Sequence, residues 1–198
     1  MRSWFGELVE QKLNCRPLAE VCKHFNIELI ETTGLNSEET KHALSRLNLD
    51  VAVSLGNGFI APSIFKIPRR GMINIHHEIL PQYQNAQSVI WQLYNGSKQT
   101  GYTIHEIDRK IDCGRILFQE HLPIQFTDAL KQTVVQTHVH QWEASAKGLE
   151  HTLTHFSELQ ASSIEQGKGG HYTTPSRRQF EQIMNNFESL KTEGKTVS

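Results

Sequence analysis

Apolar and polar positions recur along the chain with two periods, and each period marks a kind of element. Val51 to Leu55, VAVSL, is an almost unbroken apolar run that reads as a strand ending on the GNGF turn. From Ile73 to His76 the pattern alternates, Ile-Asn-Ile-His, the period of a strand with two unlike faces. GYTIHEID and GRILFQEHLPI read as two more strands, separated by the turn around RKIDCG. Helical spacing predicts a helix over RPLAEVCKHF, with proline in its first turn, and a short strand, IELIE, after it. A second helix, SEETKHALSRL, starts at a cap formed by Asn36 or Ser37, with acidic residues in its first turn. A third, AQSVIWQLYNG, closes on Asn95 and Gly96. Between Thr127 and Leu159 the residues Leu130, Val134, Trp142, Leu149, Leu153 and Phe156 recur at near-helical intervals as core contacts, with Gly148 expected to divide the run. GKGGHYTTPSRRQFEQIM supplies a glycine-rich link, an extended piece and a last helix from near Pro175, and the tail ESLKTEGKTVS is expected to fray. Helices alternating with strands predict an α/β sheet with parallel strands.

The alternation in MINIH also raises a chemical question. It sends Asn74 and His76 to one face, and burying two such groups without partners costs about 1 to 3 kcal/mol each. Neighbours or a ligand must therefore satisfy them. In open α/β sheets ligands bind beyond the carboxyl ends of the strands, where VAVSL runs into GNGF and MINIH ends in these two residues. Asp112, in the IDCG turn, supplies a carboxylate. An amide donor, an imidazole and a carboxylate suit acyl transfer, with Asn74 and His76 facing an oxyanion and Asp112 holding the imidazole. Taken singly, each has a structural alternative: Asn74 tying down a loop, His76 a satisfied histidine near the surface, Asp112 a turn residue bonded to its own backbone. His77 points to the opposite side. Cys113 has no base beside it in sequence, and the lone GNG lacks the rest of a dinucleotide fingerprint.

Composition narrows the setting. A chain of 198 residues suits one domain, or one domain with an appendage, and 20 basic against 21 acidic residues give a formal charge of −1, which offers no broad field for nucleic acid or an anionic membrane. Three cysteines without CxxC spacing point to reduced thiols in the cytoplasm. No apolar run reaches the roughly 20 residues of a membrane helix, and MRSWFGELVEQK has no signal-peptide core. The histidines do not form a metal motif: His138 and His140 diverge on a helix, and HTLTH lacks the glutamate of HExxH.

Several ordered elements together resemble a known family. NxH at Asn74 to His76, LPxY at Leu80 to Tyr83, a helix ending in Asn95-Gly96, TGxTIH from Thr100 to His105 and DxG at Asp112 to Gly114 resemble the folate-dependent formyltransferases. That family includes glycinamide ribonucleotide, methionyl-tRNA and sugar N-formyltransferases, and the likeness covers about residues 16 to 124, with GGHYTTP resembling a later extended segment. The resemblance implies an α/β fold, a Rossmann-like formyltransferase sheet with flanking helices, N-terminally incomplete because the chain starts after the family's first strand, helix and second strand. It implies residues 1–160 as the formyltransferase-like domain and 161–198 as a C-terminal extension with a short helix and a frayed tail. It assigns catalysis to Asn74, His76 and Asp112, and the contacts of 10-formyltetrahydrofolate, the donor, to Asn57, Gly58, Phe59, Ile60, Ile107 and Asp108.

The implied reaction is formyl transfer to a primary amine of a small molecule, such as a nucleotide-linked amino sugar. Alternatives are a formyltetrahydrofolate hydrolase and a non-catalytic folate-binding or interaction module. No membrane or nucleic-acid partner is expected, and a homo-oligomer is left open. The departures from the family pattern are His77, Glu78 and Asn85, which border the acceptor side.

Overall fold

The computed structural model describes residues 6–86 and 88–195. Along them run α1 (Gly6–Lys12), α2 (Leu18–His24), α3 (Glu38–Leu47), β1 (Ala52–Leu55), α4 (Pro62–Phe65), β2 (Met72–His76), α5 (Ile90–Tyr94), β3 (Gln99–Glu106), β4 (Ile116–Pro123), α6 (Leu130–Thr154), α7 (Phe156–Ala161) and α8 (Arg177–Lys195). The four strands form one sheet in the order β1-β2-β3-β4. β1 and β2 are parallel, as the α/β rhythm predicts, but β3 and β4 run antiparallel to their neighbours. Parallel pairing needs a crossover, which α4 and its flanking loops provide; β3 and β4 are joined by the short turn around Asp112 and can only fold back.

Strand alternation divides the core. Ile73 and Ile75 of β2 join Tyr102, Ile104, Leu117 and Phe156 in a cluster covered by α6 and α7. Met72 and Ala52 turn the other way, onto Ile60, Ile64 and Phe65 around α4. Asn74 and His76 lie on this second side by the same two-residue period. A third cluster joins Ile90 and Leu93 of α5 to Ile183, Phe187 and Leu190 of α8.

That last cluster explains a departure from expectation. The final helix is not short, and the stretch expected to fray is helical as far as Lys195, because an apolar stripe docks it onto α5. Residues 196–198 lie outside the described residues, as does Gln87 of the expected third helix, whose regular part is Ile90–Tyr94.

Two other expectations are corrected. IELIE forms no strand: it has no ladder partner among the described residues, and Ile27, Leu29 and Ile30 stand exposed. A strand exists only with a neighbour to take its N–H and C=O groups, which hydrophobic content alone cannot supply. Nor does Gly148 divide the long helix. α6 passes through it and ends at His155, while Leu153, expected in the core, stands exposed.

Gly148 is there because the Tyr102 ring occupies the space a side chain would fill. Tyr102 is fully buried and donates to Glu120 Oε2 at 2.7 Å, so its ring has nowhere to go. Gly148→Ala is expected to lower stability by about 1 to 3 kcal/mol through overpacking, measurable by urea denaturation, despite alanine's better helix propensity.

Candidate active site

Because β1 and β2 are parallel and in register from Ala52–Met72 to Leu55–Ile75, their carboxyl ends open at the same place. β1 leads into Gly56, at φ +64°, and the loop through Asn57, Gly58, Phe59 and Ile60. Asn57 Nδ2 donates to Ser54 Oγ at 3.0 Å. Asn36 clamps the far side of the loop, donating to Phe59 O at 3.0 Å and accepting from Ala61 N at 2.7 Å. The helix cap itself falls to Ser37, whose Oγ accepts from Thr40 N.

The β2–β3 register sets Asn74 opposite His105. His105 Nδ1 donates to the Glu106 carbonyl at 2.8 Å, so Nε2 keeps its lone pair and accepts from Asn74 Nδ2 at 3.3 Å. One amide hydrogen of Asn74 is thereby used, and the second is left for a ligand. Burial, the largest influence, pushes the His105 imidazole down to about 4, so the ring is neutral at pH 7.

His76 is held differently. Its Nε2 lies 2.8 Å from the Tyr83 carbonyl, an acceptor only, so this nitrogen carries a proton and Nδ1 is the one left for chemistry. Asp112 Oδ2 stands 3.7 Å from that Nδ1, and Asp112 Oδ1 stands 3.7 Å from His105 Nε2. The carboxylate is aimed by its backbone, at φ 53°, and by the Asn85 N–H, which donates to Oδ2 at 3.0 Å. Asn, Asp and Gly are the residues that tolerate this left-handed conformation.

The loop that supplies the Tyr83 carbonyl is braced by the C-terminal segment. Gln84 N donates to Gly170 O at 2.8 Å, Tyr172 N to Gln84 O at 3.0 Å, and the Tyr83 and Tyr172 rings stack with centroids 5.5 Å apart. Gly169 and Gly170 pass so close to the Pro81 and Gln82 carbonyls that a side chain would collide with them.

Two cavities meet here. A narrow slot of about 40 Å³ is lined by all six residues assigned to the donor, Asn57, Gly58, Phe59, Ile60, Ile107 and Asp108, with Asn74, His105 and Asp112 beside them. Phe59 and Ile111 on its rim are 50% and 47% exposed, so widening it displaces surface side chains, not core. On the other side opens a cavity of about 1040 Å³, walled by His76, His77, Asn85 and, from α6, Trp142 and Leu149. Asn74 and Asp112 line both.

His105 belongs to the TGxTIH stretch, where the sequence alone gives it no role. Its importance lies in the register that sets it opposite Asn74, and pairing partners are not written in a single strand. His77 does point to the opposite side, where its Nε2 pairs with Ser145 Oγ at 3.1 Å and its ring stacks on Trp142. Cys113 is a free thiol, pushed up by burial and by the neighbouring Asp112 charge, the reverse of nucleophile activation. Among the described residues, no three His, Cys, Asp or Glu side chains gather as a metal would require, and no helix is long and apolar enough to cross a membrane.

Comparison with known proteins adds a family. The Formyl transferase model matches residues 8–148. Among solved structures, the formyltransferase PseJ from Anoxybacillus kamchatkensis, in complex with UDP-4,6-dideoxy-4-formamido-L-AltNAc and tetrahydrofolate, is 22% identical with a TM-score of 0.56, over 83% of this chain and 84% of its own. WlaRD, a sugar 3N-formyl transferase solved with dTDP and 5-N-formyl-THF, is 18% identical with a TM-score of 0.55 over 87% of this chain, which spans only 63% of WlaRD. Phosphoribosylglycinamide formyltransferase from Streptococcus pneumoniae is 20% identical with a TM-score of 0.52, over 69% of this chain and 80% of its own. These likenesses show a shared fold, a mixed four-stranded sheet with flanking helices.

Proposed function

Because the chain belongs to the formyl transferase family, we propose that it transfers a formyl group from 10-formyltetrahydrofolate to a primary amine of a small molecule, using Asn74, His76 and Asp112. One observation carries this reading: Asn74 and Asp112 stand where the two cavities join, so that a donor in one and an acceptor in the other meet at these side chains.

The slot suits the donor chemically. Phe59, Ile60, Ile107 and Ile111 offer apolar walls for a flat bicyclic ring, and Asn57 and Asp108 offer polar groups at its edge. When bound, the donor supplies the formyl carbon on which the acceptor amine attacks. The free N–H of Asn74 then donates to the formyl oxygen as charge gathers on it. His76 can donate to the same oxygen from Nδ1 only when its ring carries a second proton, and the Asp112 carboxylate lies 3.7 Å from that nitrogen. Asp112 also takes the proton that the attacking amine gives up, directly or through a water; as the oxyanion collapses, the bond from the formyl carbon to N10 of the donor breaks and N10 leaves carrying a proton, giving the formamide and tetrahydrofolate.

The acceptor we favour is an amino sugar carried on a nucleotide. The larger cavity, at about 1040 Å³, has room for such a molecule, and two structural neighbours were solved with nucleotide or nucleotide-sugar ligands. Thermal unfolding with a tetrahydrofolate analogue tests donor binding: at a hundred times its dissociation constant a ligand is expected to add about 2.7 kcal/mol of stability. Mass analysis of a candidate amino sugar incubated with enzyme and donor then reads the transfer. Formate released with no formylated amine would show hydrolysis instead, and an absent thermal shift would reject the slot as the donor site.

A further inference from the structure

We propose that Glu78 is a positioning residue of this site that works as an undissociated acid, locking to Gln92 so that the loop bearing the Tyr83 carbonyl is held against His76. The proposal rests on the formyl-transfer reading for its catalytic meaning, while the proton and the lock stand on the structure itself.

Glu78 lies two residues beyond His76 and is 1% exposed. Gln92 Nε2, from α5, donates to Glu78 Oε2. The other oxygen of each partner, Glu78 Oε1 and Gln92 Oε1, is buried without a hydrogen-bond partner. Two orphan acceptors on the two ends of one hydrogen bond lack a single donor between them. A proton on Glu78 supplies it, turning the pair into an acid–amide couple with both ends satisfied.

The surroundings agree. Ser88 and Gln92 face the carboxyl from the α5 side and Tyr83 from the loop, while the Thr103 hydroxyl of β3 holds the Glu78 carbonyl at 2.7 Å. Gln141 of α6 reaches it only through Ser88, and His76, His77 and His138 share the cavity wall. No lysine or arginine is among them. Burial accordingly pushes the Glu78 carboxyl well above the usual carboxylate range, opposed only in part by Ser88.

The lock matters because it anchors the loop that comes next in the chain. Leu80 N donates to Thr103 Oγ1 at 3.1 Å and Gln119 Nε2 to Leu80 O at 2.9 Å, so residues 78 to 80 are pinned to β3 and β4. Three residues later comes the carbonyl that holds the His76 ring. Ionising Glu78 opens the couple and leaves a buried charge at the root of this loop.

The sign of the linkage is fixed. The folded carboxyl binds its proton more tightly than the unfolded one, whose ordinary value is 4.5, so its stabilisation is complete below that pH and is lost as pH rises through the folded value. Glu78→Gln keeps the shape without the acid and should remove this loss.

Three measurements decide the matter. The infrared difference between wild type and Glu78→Gln at pH 7 should show the carbonyl stretch of a protonated carboxyl; a carboxylate band alone overturns the undissociated acid. The imidazole ¹⁵N signals of His76, which report the ring whether or not there is turnover, should keep the Nε2–H tautomer in Glu78→Gln and lose it in Glu78→Ala. An unchanged signal in Glu78→Ala overturns the positioning role. With formylation as the readout, Glu78→Gln is expected within about twofold of wild-type kcat with its alkaline limb moved to higher pH, and Glu78→Ala at least about tenfold lower in kcat with KM for the donor unchanged; coincident profiles for all three overturn the catalytic meaning. A protein that shows the infrared and NMR responses yet forms no formylated amine retains the lock and refutes the proposed reaction instead.

Discussion

Asn74→Ala is expected to lower the rate of formyl transfer by about a hundredfold to a thousandfold at saturating substrates, the usual loss when one donor to a developing oxyanion is removed. The structure says why the loss should fall on kcat. Asn74 is fixed before any ligand arrives, one amide hydrogen committed to His105 Nε2 at 3.3 Å, and its side chain lines both cavities. A donor held in place costs no reorganisation when charge appears. Alanine also strands the buried His105 nitrogen, which adds a second and smaller effect, a stability loss of about 1 to 3 kcal/mol. Circular dichroism separates the two: a cooperative melt at somewhat lower temperature with turnover nearly abolished fits both roles. Turnover near wild type would mean that the oxyanion is met elsewhere.

Asp112→Asn is the cleaner test of the carboxylate and is expected to lower kcat by about a hundredfold to ten-thousandfold, the range for a lost general base. Asparagine tolerates the left-handed backbone at φ 53° that alanine would strain, and its side-chain oxygen can still accept from Asn85 N–H. The shape of the turn should therefore survive. The negative charge 3.7 Å from His76 Nδ1 and from His105 Nε2 disappears. The variant loses both the counter-charge for a protonated His76 and the acceptor for the amine proton. Rate measured against donor and acceptor concentration should show KM little changed, and a large rise in KM with intact kcat would reassign Asp112 to binding.

The strands, and the shared face of Asn74 and His76, were legible because they depend on period and chain order. Alternation in MINIH put Asn74 and His76 on one face, as found, and the apolar run of VAVSL marked a strand, β1, which lies at the edge of the sheet among the described strands. The loop after β1 was legible as a glycine turn. The features that could not be read depend on partners far along the chain. IELIE has every residue a strand needs and no neighbour to pair with. Gly148 looks like a breaker until the Tyr102 ring, from a strand much earlier in the sequence, is seen against it. His105 and Glu78 were hidden for the same reason: register gives one its link to Asn74, and Gln92 gives the other its hydrogen bond. α8 became a long helix because α5 offers its stripe a surface, a fact absent from the polar tail sequence.

The stretch around Gly170 and Tyr172 lies downstream of residue 148, where the family match stops, yet it laces the strap that carries the His76 hydrogen-bond acceptor. Ownership of the His76 imidazole is thus divided. Its identity belongs to the matched span, and its orientation is moulded by residues beyond it. A version trimmed to the matched span would retain Asn74, His76 and Asp112 and lose the mould, and exchanges in the glycine pair would be felt at the ring through the loop that carries the Tyr83 carbonyl.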